Sequence, residues 1–280
     1  MRHACSPREA SRRAGAVGLA ALVAVLACGT LSIPQERKLG EDANREIRQQ
    51  VKLLRDRVVH DYVAHLGAGI VAAAGPQPFE YEFHVVEDDQ INAFALPAGF
   101  IYVHTETILK ARNVSELAGV IGHEVGHVAR RHIAQNYNRQ RSTGLLHQVA
   151  VIGAGVAGGS TAAGAVNLLG GLAGVAYLNT FGREAEADAD AFAVDVLPRA
   201  GYDPRGLVTF FDTLAREGGA GVPSFLSSHP APEDRIQATS ARIAAAHLPA
   251  GLRTSDGGRL EIIQQRIRLL AGEGGSGSKR

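Results

Sequence analysis

The sequence predicts an α+β fold, mainly helical, in which a small β-sheet precedes a central buried helix. Three observations predict it. Apolar residues recur at helical spacing from Ile47 to Leu66, they alternate with polar ones from Phe79 to Val85, and between Leu117 and Val128 the only formally charged residue is Glu124. A helix that is apolar nearly all round belongs in the middle of a fold. With 280 residues, 45% of them hydrophobic, the chain is long enough for one sizeable core and short for several domains. Lys and Arg (29) balance Asp and Glu (28), so there is no basic excess for a phosphate backbone and nucleic acid is not an expected partner. Two cysteines without paired spacing exclude a zinc ribbon or a disulfide framework.

Residues 1–27 read as an address. Arg2, Arg8, Arg12 and Arg13 precede the uncharged run "AGAVGLAALVAVLA", long enough for a signal h-region and short for a transmembrane span. The run ends "VLAC", which resembles a bacterial lipoprotein cleavage box, so Cys28 is expected to carry a lipid anchor. Leu26 is unusual in such a box, and cleavage after Ala27 without lipid is the alternative. "SRRAG" hints at twin-arginine export. The expected location is outside the cytoplasm, at the periplasmic face of the outer membrane or in the cell envelope.

From Pro34 onward Ile47, Val51, Leu54, Val58, Tyr62 and Leu66 form one stripe of a long amphipathic helix, which "AAAGPQP" ends. In "FEYEFHVV" the period changes to two, with Phe79, Tyr81, Phe83 and Val85 on one face of a strand. "INAFAL" and "FIYVHT", joined by "PAG", read as a hairpin. Asn113 and Glu116 then have capping-box spacing, with Ser115 as a competing cap, and "ELAGVIGHEVGHVARRHIAQNYNRQR" continues as a single helix without proline.

In this helix His123 and His127 are four residues apart and project from adjacent turns on the same side, with Glu124 beside them. Burying them unpaired costs several kcal/mol, about the desolvation of each group. A divalent metal is the partner that fits, with Glu124 angled away from it as a base. His132 is out of register for a third ligand and is expected to pack or hydrogen-bond locally. Further on, "GREAEADADAFAVDVLP" is helical until Pro198 and places Glu184, Asp188 and Asp195 along one side. Such a face is either solvated or set opposite a cation.

"HEVGHVARRH", followed by "REAEAD" and "SSHPAPEDRI", resembles the HtpX/BepA-type zinc metallopeptidases, relatives of the CAAX prenyl endopeptidases, and "INAFALPAGFIYVHTETI" looks like the segment ahead of their HExxH helix. The resemblance covers about Ile33 to Ile243. It implies a zincin-like metallopeptidase domain, set at 28–270 with a flexible tail at 271–280, and a member without a tetratricopeptide extension. It implies one Zn²⁺ held by His123, His127 and Glu184, with Glu186 the competing carboxylate, and Glu124 as general base. His229 resembles the family's downstream histidine, which assists the oxyanion or fills the fourth metal position in a resting state. Asp188 is expected to orient a ligand imidazole, and Arg235 to anchor its loop or contact substrate. Asn92, Ala93, Phe94 and Ala95 are the expected edge for an extended peptide.

The implied activity is endoproteolysis of misfolded or misassembled exported proteins; the alternative is a chaperone-like or scaffold protein of the same fold that cleaves little. Residues 142–182 are free of formal charge and rich in Gly and Ala, and are expected to form a membrane-apposed lid.

Overall fold

A computed structural model describes residues 31–139, 181–217, 225, 229 and 233–276. The expected signal segment, Cys28 and the body of the 142–182 stretch lie outside the described residues. The chain divides into two compact units, Met1–Ser32 with Ala134–Asn167, and Ile33–Ile133 with Leu168–Arg280. In the first, residues 134–139 are helical. The second is mainly helical around a three-stranded sheet. Among the described residues no helix is long and apolar enough to cross a membrane.

The first expected helix is two, α1 (Ile33–Gln50) and α2 (Arg57–Ala74). The Asp56 side chain accepts a hydrogen bond from the Val59 amide at 3.1 Å and so starts a new helix. The intervening residues are extended against the sheet: the Leu54 amide donates to the Val85 carbonyl (2.9 Å), and that of Glu87 to Lys52 (2.7 Å). The break explains why Val58, expected on the apolar stripe, is 49% exposed.

The sheet holds β1 (Glu82–Val86), β2 (Ala93–Ala95) and β3 (Phe100–His104) in the order β1-β3-β2, with β1 parallel and β2 antiparallel to β3. The hairpin stands as expected. Its turn, Pro97–Gly99, holds Ala98 at φ 65 and Gly99 at φ 105, a region that glycine adopts freely and alanine does not. Ile47 of α1 packs with Val86, Phe94, Leu96 and Tyr102 in one core cluster, where the Phe94 and Tyr102 rings stack 4.9 Å apart.

After the short α3 (Thr105–Lys110) comes α4 (Val114–Ala129), which runs through the core with every residue to Val128 buried. The Asn113 side chain accepts from the Glu116 amide at 3.1 Å. Glu116 does not close the box on Asn113; its carboxylate accepts instead from the Arg112 amide (2.9 Å) and guanidinium (2.8 Å). The predicted long helix is interrupted at Arg131, which sits at φ 58, before helical structure resumes at His132. The nearby Glu36 carboxylate, buried in α1, accepts from Arg131 Nε at 2.7 Å and secures this bend.

Then follow α5 (Arg183–Val196), α6 (Arg205–Glu217), α7 (Glu233–Ala245) and α8 (Arg259–Ser276). The helical backbone of α8 runs on beyond residue 271, where a tail was expected. Gln264 of α8 donates to the Ile108 and Ala111 carbonyls (2.9 and 2.8 Å), tying it to the end of α3.

α5 and α6 both lie against α4, and glycines set how closely. A Cβ at Gly119 would fall 2.7 Å from the Leu207 backbone, and one at Gly126 only 3.0 Å from the Ala189 carbonyl oxygen. Gly119→Ala is therefore a case in which two effects oppose. Helix propensity favours alanine by about 1 kcal/mol, whereas forcing an atom against packed backbone costs about 1–3 kcal/mol. We expect a net loss of stability, read as a lower midpoint in urea; a higher midpoint would show that α4 and α6 are not in close contact.

Candidate metal centre

α4 supplies His123, Glu124 and His127, all 0% exposed. α5 crosses it at the Gly126–Ala189 contact and brings in Glu186 and Asp190; α7 adds Arg235, and the segment ahead of α7 adds His229. His123, His127, Glu186 and His229 each offer one atom to a cluster whose members lie within 4.8 Å of one another.

His123 Nε2 is 3.0 Å from His127 Nε2, 3.2 Å from His229 Nδ1 and 3.3 Å from Glu186 Oε2. Glu186 Oε1 is 3.0 Å from His229 Nδ1 and 3.5 Å from His127 Nε2. A ring nitrogen has one in-plane lone pair or one proton, so hydrogen bonding cannot account for three neighbours around His123 Nε2. A cation at the centre can: zinc–nitrogen bonds of about 2.0–2.1 Å put tetrahedral donors about 3.3–3.4 Å apart. The donor set, three imidazoles and a carboxylate, suits a borderline dication.

Two carboxylates and a guanidinium brace the cluster. Asp190 Oδ1 lies 2.9 Å from His123 Nδ1, fixing that ring with Nε2 toward the centre. Arg235 donates to Asp190 from Nε (2.6 Å) and Nη2 (2.8 Å), and its Nη1 pairs with Glu186 Oε2 at 2.7 Å without hydrogen-bond alignment. Thr239 donates to Asp190 Oδ2 at 3.2 Å.

Burial is the largest influence on each of these ionisable groups. It pushes Glu124 up and His127 well below the usual imidazole value. On Glu186 it is outweighed by the attraction of His229 and the hydrogen bond to His123, which hold the carboxylate well below its ordinary range. On His123 it is outweighed by hydrogen bonds to Asp190 and Glu186, which hold the imidazole up at about 9. A metal binding here would have to displace the proton this favours on His123. Glu124 stands apart: both its oxygens are buried without a hydrogen-bond partner, and Oε1 is 3.5 Å from His229 Nε2.

Two expectations need correction. Glu184 is not in the cluster: it is exposed, and Glu186 stands where it was expected. "REAEADAD" contains two interleaved E-x-x-x-D pairs, and two residues of helix rotate a side chain by about 200° to the opposite face. Likewise the carboxylate that directly meets a ligand imidazole is Asp190, on His123, whereas Asp188, expected in contact with a ligand ring, pairs with His132 Nε2 at 3.2 Å. The distinguishing signal was in the sequence. Glu186 and Asp190 continue the face of Ala193 and Leu197, which is buried, whereas Glu184 and Asp188 continue that of Asp195, which is exposed.

Arg235 is committed to Asp190 and Glu186 rather than left for substrate. His229 takes the fourth donor position. Its amide donates to the Phe225 carbonyl (2.8 Å), and the Phe225 amide donates to that of Ile91 (3.1 Å), just ahead of β2. Asn92 is used internally, its amide and carbonyl both bonded to Thr107 Oγ1 and its carbonyl also to the His104 amide. In the pairing of β2 with β3, Phe94 faces Tyr102 in the bonded register, so Ala93 and Ala95, both buried, direct their backbone groups away from β3. A cavity of about 520 Å³ adjoins Glu186 and Arg235, between α5 and α7.

The sequence matches the family described as Peptidase family M48 over residues 54–243. It is 33% identical over 211 residues to the beta-barrel assembly-enhancing protease of Escherichia coli (strain K12), covering 74% of this chain and 43% of that protein. It is 31% identical over 182 residues to the mitochondrial metalloendopeptidase OMA1 of Arabidopsis thaliana, covering 65% of this chain and 33% of that protein. With the metalloprotease LoiP of Escherichia coli (strain K12) it shares 31% over 169 residues, 60% of this chain and 64% of that protein. The chain spans less than half the length of the first two of these relatives.

Proposed function

The chain belongs to peptidase family M48, and from that premise we propose that it is a zinc-dependent endopeptidase of the bacterial cell envelope, hydrolysing peptide bonds in misfolded or misassembled exported proteins. One observation carries the reading: three imidazoles and a carboxylate converge on one point beside a glutamate whose two buried oxygens have no hydrogen-bond partner among the described residues.

His123, His127 and Glu186 would hold the metal. Bound there, Zn²⁺ supplies Lewis acidity, polarising a scissile carbonyl and lowering the pKa of water to about 7. Glu124 takes the proton from the attacking water and passes it to the departing amine, work that suits a carboxyl whose proton affinity burial has raised. Arg235 and Asp190 keep His123 and Glu186 in place. A metal held by all four donors would have no position left for water, so His229 is the donor that would have to give way, and its ring would then be free to face the developing oxyanion.

An extended peptide would add along β2, bonding to the backbone groups of Ala93 and Ala95. Main-chain recognition asks little of sequence, which fits unfolded substrates. The envelope location, a lipid anchor at Cys28 and membrane contact by residues 142–182 rest on the composition of those segments.

Metal analysis of protein purified without added zinc, joined to a casein assay with and without chelator, tests the reading. We expect one zinc per chain and cleavage that chelator stops and zinc restores; cleavage indifferent to chelator refutes it. The filled donor set also favours a second reading, a chaperone-like or scaffold protein with little turnover. Chelator-sensitive cleavage of casein excludes that one.

A further inference from the structure

The two α4 imidazoles at the centre are supported unequally. Asp190 braces His123 directly. His127 has no carboxylate on its Nδ1; that atom lies 3.2 Å from Nδ1 of His132, whose Nε2 in turn lies 3.2 Å from Asp188 Oδ2. His132 is 6% exposed, whereas the Asp188 side chain is 45% exposed and its other oxygen is 3.4 Å from Arg130 Nε. The bend at Arg131 makes this possible: with φ at 58 it ends α4 and turns His132 back onto His127, which a continuous helix would not do at a spacing of five residues.

Hydrogen-bond direction along this path has one consistent solution. If His127 presents Nε2 to a cation, its Nδ1 carries the proton and donates. His132 Nδ1 must then be the acceptor, which leaves the His132 proton on Nε2, facing the Asp188 carboxylate. We infer that His132 is a positioning residue, the middle member of an Asp188–His132–His127 relay that fixes the tautomer and ring orientation of His127 for metal binding. The inference rests on the metal-site reading above. It sets Asp188 at the outer end of the relay, separated from the ligand by a single imidazole, and it extends the support of a buried site to a half-exposed carboxylate.

The relay is tested on the full chain by competing Zn²⁺ away with a chromophoric chelator. His132→Phe keeps the ring shape and removes the acceptor, and its Zn²⁺ dissociation constant is expected to rise about 10- to 100-fold, the usual effect of losing such a partner. His132→Asn places an oxygen near the former Nδ1 and is expected to recover affinity to within about threefold of the unsubstituted chain. Asp188→Asn, at a half-exposed position where folding is not at stake, is expected to weaken binding several-fold and decides the matter if the phenylalanine variant does not fold. Unchanged affinity in His132→Phe or in Asp188→Asn, or equal losses in His132→Phe and His132→Asn, would overturn the relay. If the unsubstituted chain itself bound no Zn²⁺, the failure would lie with the metal site.

Discussion

Glu124→Gln is expected to lower the cleavage of casein by about 10²–10⁴-fold, the usual contribution of a positioned general base, while the protein retains its full complement of zinc. Glu124 lies outside the set of converging donor atoms, and its carboxylate accepts no hydrogen bond from the described residues. Glutamine preserves its shape and removes only the ability to take a proton. Glutamine also asks less of a dry, apolar surrounding than an ionised carboxylate does, so the variant should fold. Turnover near the unsubstituted level would remove Glu124 from the chemistry. Loss of zinc together with activity would make it a ligand instead.

Glu186→Gln carries the other large effect, and Glu184→Gln is its control. Glu186 faces three imidazoles and a guanidinium, with Oε1 3.0 Å from His229 Nδ1 and Oε2 2.7 Å from Arg235 Nη1. Removing its charge deletes a ligand and leaves Arg235 paired with Asp190 alone. Zinc affinity should fall by more than the roughly 100-fold at the top of the range for losing an outer support, and casein cleavage should fall with it. Glu184, exposed on the opposite face of α5, should be replaceable with no measurable change in either. Were the two results exchanged, the phase of α5 would be wrong.

These variants also mark where the sequence stops being readable. The HExxH helix, its Asn113 cap, the β2–β3 hairpin and the alternating strand ahead of it were legible because each is a local pattern: a period, a capping side chain, a turn. His123, Glu124, His127 and His229 were legible from motif and resemblance. The ligand on α5 was not settled by spacing, because two E-x-x-x-D pairs interleave within seven residues and burial selects between them. Its apolar face would have broken the tie. The division of α1 from α2 was signalled only by Asp56, a capping residue inside an unbroken apolar stripe. The bend at Arg131 has no local signal at all: a left-handed arginine is unfavourable taken alone, and it is held by Glu36, 95 residues away in sequence. The role of His132 depends on that bend, so it became visible only in the fold.

The bond from the Phe225 amide to the Ile91 carbonyl ties the approach to β2 to the donor cluster through the backbone, since the His229 amide in turn donates to the Phe225 carbonyl. Two main-chain bonds in series thus link the rim of the sheet to the imidazole at the fourth donor position. Any shift of Phe225 away from Ile91 would be felt at that ring.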